Sequence, residues 1–122
     1  MAQIPNKKKV RVSITGTGAA NVTAVIPDSG HYTKFTISCP AVTGIGDIEG
    51  DMGGGFLPVA FVNTMNAGVT KLALSASHIC TFELHTPIPG GLRIVNINHA
   101  ENAVAHFDIM MSGSLYSSGR NS

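Results

Sequence analysis

The stretch at residues 44–56, GIGDIEGDMGGGF, holds the densest group of residues in this chain that could do chemistry. Its six glycines enclose three acids, Asp47, Glu49 and Asp51. A phosphate-binding loop needs a lysine and a helix after the glycines, whereas Phe56 and an apolar run follow here, so we exclude it. Three alternating acids supply half of a calcium shell without the EF-hand spacing, and a weak calcium site is the minor interpretation. We favour a mobile surface loop whose acids keep it in solvent or meet another subunit.

The five histidines and two cysteines could ligate a metal or support nucleophilic catalysis, but their spacing favours neither. No histidine pair has His-x3-His spacing, and Cys39 and Cys80 are 41 positions apart. His78 shares a strand face with Cys80 if that strand is regular, yet an activated thiolate needs a cationic or helix-terminal setting. A Gly-x-Ser-x-Gly elbow is also absent. We expect no enzyme, no metal and no cofactor, and two free thiols buried in a reducing cytosol.

The candidate residues described above must be positioned by β-strands, which an apolar pattern with a period of two residues indicates. VRVSITG, HYTKFTISC and LRIVNIN alternate apolar and polar residues, which is typical of strands with one buried face. In the third segment, Leu92, Ile94 and Asn96 are expected to face away from Arg93, Val95 and Ile97. Pro58 predicts that its strand lies at a sheet edge or begins there. With turn signals about every 8–12 residues and no convincing helix, we predict an all-β fold, an antiparallel β-sandwich of eight or nine strands and of jelly-roll type.

Three segments are predicted along the chain. Residues 1–9, MAQIPNKKK, lack periodicity and form a basic, extended N-terminal arm. Residues 10–111 form the sandwich domain, and residues 112–122 form a polar C-terminal tail. No leader-like apolar segment and no run near the ~18 apolar residues of a membrane span is present, so we expect no membrane partner.

The charge content favours a surface that other proteins cover. Charged residues make up 12% of the chain, against about 25% in an average domain. A net charge of +1 hides a basic run and an acidic loop, and we expect the arm of one copy to contact the loop of another. The basic run is too short for firm or specific nucleic-acid binding. The predicted partner-binding residues are Lys7, Lys8, Lys9, Arg11, Asp47, Glu49 and Asp51.

With its basic arm AQIPNKKK, its tail SGSLYSSGRNS and a charge-poor β domain over residues 10–111, the chain resembles the capsid decoration, or cement, proteins of tailed bacteriophages. The resemblance rests on composition and on the order of these segments, without a diagnostic motif, so no residue role is carried over. It implies a virion structural protein, made in the host cytoplasm, that forms homo-oligomers, with a trimer favoured. Its partner would be the major capsid protein or another virion protein, at the capsid surface.

Two other classes of function stay open. One is a carbohydrate- or ligand-binding β-sandwich module, for example the receptor-binding domain of a phage tail or fibre. The other is a metal-dependent enzyme of the double-stranded β-helix type, with histidine and acidic ligands. A lectin should bind glycans as a monomer, the enzyme should carry stoichiometric metal, and a structural protein should oligomerise and do neither.

Overall fold

Strands are the main regular secondary structure of this chain, which is seen here in a computed structural model that describes residues 6–63 and 68–113. Within these ranges the one helix is a single 3-10 turn, Ser29–His31, and no helix there is long and apolar enough to cross a membrane. The strands of the described residues are β1 (Lys7–Thr15), β2 (Ala20–Ile26), β3 (Lys34–Ser38), β4 (Ile48–Asp51), β5 (Phe56–Pro58), β6 (Ala60–Asn63), β7 (Gly68–Lys71), β8 (Ile79–Glu83), β9 (Leu92–Asn98) and β10 (Val104–Ser112).

Eight of these strands form two antiparallel sheets. The front sheet has the order β1-β10-β3-β8, and the back sheet has the order β2-β9-β4-β5. Strands β6 and β7 pair only with each other, as a hairpin. The prediction of an antiparallel all-β protein is therefore confirmed. Pro58 ends β5, the edge strand of the back sheet, where its missing N–H costs no ladder hydrogen bond.

The two sheets share one hydrophobic core in a sandwich-like arrangement. Alternation along each strand sends one set of side chains inward, and each large apolar side chain buried there stabilises the fold by about 1.5–3 kcal/mol. At the β3–β8 pair, the Phe35 and Phe82 rings stack with their centroids 5.0 Å apart. The front sheet contributes Ile14, Phe35, Ile37, Phe107, Ile109 and Met111 to the core, and the back sheet contributes Ala24, Ile26, Ile48, Leu92, Ile94 and Ile97.

A β-bulge in β9 makes one predicted alternation wrong. Ala24 of β2 pairs with Ile94, whereas Val22 pairs with Ile97, so two residues of β9 stand opposite one residue of β2. Asn96, in the bulge, has a φ of 58°, a left-handed conformation that asparagine tolerates better than most residues. The extra residue turns Ile97 to the same inner face as Ile94, and both are fully buried.

The sandwich begins earlier and ends later than the hydrophobic pattern predicts. Residues 7–9, assigned to the arm from the sequence, are the first three residues of β1, and Lys7 pairs with Ser112 at the end of β10. A run of three lysines carries no apolar alternation, but the backbone of β10 offers it pairing partners all the same. The rest of the predicted arm at residues 1–5 and of the predicted tail at residues 114–122 lies outside the described residues.

Candidate interaction surface

The middle acid of the predicted loop belongs to a strand and is already paired. Ile48 of β4 is fully buried, and alternation places Glu49 on the outer face of the back sheet. Glu49 Oε1 accepts a hydrogen bond from Arg93 Nε at 2.8 Å and lies 2.7 Å from Arg93 Nη2. The Arg93 guanidinium also covers the Phe56 ring, with Cζ 4.0 Å from the ring centroid. Glu49 and Arg93 are direct register partners, so the sheet itself holds this pair together.

Asp51 organises the glycine-rich turn that follows β4. Its Oδ1 accepts hydrogen bonds from the N–H groups of Gly53 at 2.7 Å and Gly55 at 3.1 Å. Its backbone carbonyl accepts a further hydrogen bond from the Gly90 N–H at 2.8 Å. The turn is thus closed by the carboxylate of its own first residue, in contrast to the mobile loop that the sequence predicts.

The three acids of the predicted loop have separate partners and do not converge on one site. Asp47 Oδ2 lies 3.4 Å from Lys71 Nζ, whereas Glu49 pairs with Arg93 and Asp51 binds the Gly53 N–H. Each of the three carboxylates therefore binds a different group of the same chain. Across the described residues, no group of three or more His, Cys, Asp or Glu side chains could hold a metal ion.

Two of the predicted partner-binding cations are also engaged within the chain. Lys8 lies on the inner side of β1 and pairs with Asp28, and this hydrogen bond raises the pKa of Lys8 and lowers that of Asp28. Arg11 donates to Asp108, its register partner on β10, from Nε at 2.7 Å and from Nη2 at 3.2 Å. Hydrogen bonding by Arg11 lowers the pKa of Asp108, and Lys9 adds a weaker long-range attraction.

Three lysines have no such partner and lie together on the outer face of the front sheet. Lys7 pairs with Ser112 of β10, which pairs in turn with Lys34 of β3, so the two lysines share one row. Strand spacing puts their Cα atoms about 10 Å apart, and Lys9 lies about 7 Å farther along β1. All three are exposed, and within the described residues none lies within salt-bridge distance of a carboxylate. We call Lys7, Lys9 and Lys34 the lysine cluster.

The histidines and cysteines make local contacts. On the outer face of the front sheet, Ser13 Oγ lies 2.7 Å from His106 Nδ1, and the two residues are cross-strand partners. Cys39 is a buried free thiol and Cys80 a half-buried one on the neighbouring strand. Burial, and secondarily the proximity of Cys80, raises the pKa of Cys39 to about 12. A thiol with that pKa is almost wholly protonated at neutral pH, so Cys39 is a poor nucleophile and a poor metal ligand.

An open pocket of about 500 Å³ lies at the β4–β5 edge of the back sheet. Its walls include Met52, Leu57, Val59 and Ile88 together with glycine backbone, and none of its lining residues is charged. Met52 is 72% exposed and Leu57 is 71% exposed, so this edge presents apolar side chains to its surroundings. The pocket suits an apolar group rather than a charged one.

Sequence reasoning found two members of the lysine cluster and missed the third. Lys34 lies 27 positions from Lys7 in the chain, and only the placement of β10 between β1 and β3 brings them to one row. No family model, no curated protein and no solved structure matches the chain. Function is therefore inferred from the strand order and from the surface chemistry.

Proposed function

We propose that this chain is a non-enzymatic structural protein of a tailed-phage particle, a decoration protein that adheres to the outside of the head. The observation that carries the proposal is the strand order, which supports a jelly roll. Jelly rolls occur in viral capsid proteins and in lectin and cupin domains. Because a fold alone does not imply a function, the surface has to support the same choice.

The strand pairs are nested in the way that a jelly roll requires. Without the β6–β7 hairpin, eight strands remain, and the first pairs with the last, the second with the seventh, the third with the sixth and the fourth with the fifth. The β10–β3 and β9–β4 pairs then join these hairpin-like pairs into two sheets. In this assignment, β6 and β7 are an insertion between the fifth and sixth strands.

The surface supports adhesion to other proteins. Only 12% of the residues are charged, and four ion pairs within the described residues satisfy half of the basic side chains. Large apolar side chains remain exposed on both sheets and at the pocket edge. A decoration protein adds weak contacts many times over, and copies joined in a trimer bind far more tightly than one copy does. Among the described residues, the exposed large apolar side chains are Val25, Met52, Leu57, Ile79, Val104 and Met110.

Two measurements test the proposal. Light scattering on size-exclusion fractions should give about 38 kDa, the mass of three chains of 12.7 kDa, for the favoured trimer. Heads of the phage that encodes the chain, prepared without this protein, should bind it saturably and then withstand a higher temperature before they rupture. A monomer that does not sediment with such heads would refute the proposal.

A ligand-binding module is the second candidate, and the pocket at the β4–β5 edge favours it. Sugar sites usually offer an aromatic platform and polar side chains, but the pocket lining is apolar and Arg93 covers one face of Phe56. An apolar ligand fits better. One-to-one binding of an apolar fluorescent probe to a monomer, abolished by Leu57→Glu and unaffected by Val25→Glu, would favour this candidate over the decoration protein.

A further inference from the structure

Internal ion pairs decide which charges of this chain are left for a partner. In the described residues, Asp28, Asp47, Glu49 and Asp108 are each paired with a lysine or arginine of the same chain. The cations of those four pairs are likewise engaged. The basic side chains that remain there are those of the lysine cluster, so the excess positive charge lies at one end of the outer face of the front sheet.

The surroundings of the lysine cluster are those of a protein-binding face. Alternation puts Met110 and Thr36 on this face beside Lys9, in one row across three strands. Met110 is 42% exposed, so this face has an apolar centre with cationic neighbours. Apolar contact surrounded by charges that set orientation is typical of protein interfaces.

A second copy of this chain is a poor partner for the cluster. The loop acids that were expected to contact the arm already have partners within their own chain. Asp47 and Glu49 each form an ion pair, and Asp51 accepts hydrogen bonds from the N–H groups of its own turn. Glu83 lies in the same row as Lys7 and Lys34 and on the same face. It is therefore a neighbour of the cluster within one chain rather than a partner that a second copy brings. Glu101, exposed in the turn between β9 and β10, is the one further acid of the described residues, and a single carboxylate does not match three lysines. An acidic surface of a different protein is therefore the better match.

Nucleic acid is also a poorer fit than an acidic protein. Three lysines neutralise about three phosphates, which gives weak binding that physiological salt largely removes. The outer face of the front sheet offers no Phe or Tyr on which bases could stack. A row of carboxylates about 7–10 Å apart, as on the surface of a sheet, matches the spacing of the cluster.

We propose that Lys7, Lys9 and Lys34, with Met110 between them, dock onto an acidic surface of the protein to which this chain attaches. Resting on the function proposed above, this inference names the face that meets the head and the chemistry of the surface it meets. It replaces the seven partner-binding residues expected from the sequence with a cluster that includes Lys34 and excludes the paired Lys8.

Poly-L-glutamate is the probe for the chemistry of the face. At about 50 mM salt the wild-type protein should bind it, and Lys9→Gln/Lys34→Gln should weaken binding about tenfold, because two exposed charge pairs are lost together. The matched control Lys8→Gln/Lys71→Gln removes the same charge elsewhere and should change affinity less than threefold. An equal loss in both variants, or no binding by the wild type, overturns the inference, as does tighter binding to random-sequence duplex DNA.

Head binding separates the inference from the function it rests on. Heads that bind the wild type and the control equally, but bind Lys9→Gln/Lys34→Gln about tenfold more weakly, support both. Heads that bind all three proteins alike refute the role of the cluster and leave the decoration function standing. Heads that bind none of them, while poly-L-glutamate discriminates the variants, refute the function and retain the acidic-surface specificity.

Discussion

The hydroxyl of Ser29 holds the connection that carries the chain from the back sheet to the front sheet. Ser29 is 1% exposed, so its hydroxyl is shielded from water. Its Oγ donates to the Ile26 carbonyl at 2.7 Å and accepts from the Leu92 N–H at 2.7 Å. One atom thus ties the turn after β2 to the end of β2 and to the start of β9. We predict that Ser29→Ala is among the more destabilising single-atom deletions in this protein.

The magnitude follows from what the deletion leaves behind. The buried Leu92 N–H loses an acceptor in a place that water does not reach, which costs about 1–3 kcal/mol, and the lost donor to Ile26 adds roughly 1 kcal/mol. The missing oxygen leaves little empty volume, so no large cavity term applies. We expect a loss of about 2–4 kcal/mol, a large part of the 5–15 kcal/mol typical of a domain. At roughly 4 °C per kcal/mol, Tm should fall by about 8–16 °C.

Circular dichroism during urea and thermal unfolding measures this loss directly. The control is Ser13→Ala, which removes an exposed hydroxyl bonded to His106 and should change the free energy of unfolding by no more than about 0.5 kcal/mol. Equal urea m-values in the three proteins would show that the same surface unfolds in each. A Ser29→Ala protein as stable as the Ser13→Ala protein would refute the reasoning, because the turn would then not depend on the hydroxyl.

Three further predictions concern other parts of the fold. Cys39, whose pKa burial raises to about 12, should react with iodoacetamide at pH 8 only after unfolding, and mass spectrometry of the native protein should find it unlabelled. Gly46→Ala should destabilise the protein by about 1–3 kcal/mol in urea unfolding, because a Cβ there meets backbone at 2.4 Å, whereas Gly54→Ala, with open space around it, should be neutral. Hydrogen bonds from Lys8 and Arg11 lower the pKa values of Asp28 and Asp108, so these ion pairs stabilise the fold above about pH 4. That contribution should disappear in pH-dependent thermal melts as the pH falls below 4, and less steeply in high salt; melts that are flat to pH 2 would contradict it.

Local alternation was sufficient to predict the faces of the front sheet. Phe35, Ile37 and Cys39 are all buried as expected, because β3 has a strand on either side and one face against the core. In β9 the same reasoning failed at Asn96, since a single residue with positive φ shifts the period of every residue after it. A bulge depends on which strand is the neighbour, and that information is not in the local pattern.

The candidate site was harder to predict than the fold for a related reason. Sequence reasoning predicts that Asp47, Glu49 and Asp51 point the same way, because they alternate within an extended segment. It could not supply the partner of Glu49, because Arg93 lies 44 positions away and meets it only through the β4–β9 register. The charge of a residue is local, but whether that charge is free for another molecule depends on long-range strand order.

The glycine-rich stretch shows how the same composition follows from several physical causes. Gly46 and Gly50 are needed for close packing, since an added Cβ would meet β9 backbone at 2.4 Å in the first case and the Ile88 side chain at 3.0 Å in the second. Gly53 and Gly55 adopt φ values of 121° and 108°, which a larger residue would find strained. Most of these glycines therefore shape a strand and a tight turn. Because the acids of this stretch are bound within the chain, the lysine cluster on the opposite sheet is the stronger candidate for the face that binds another protein.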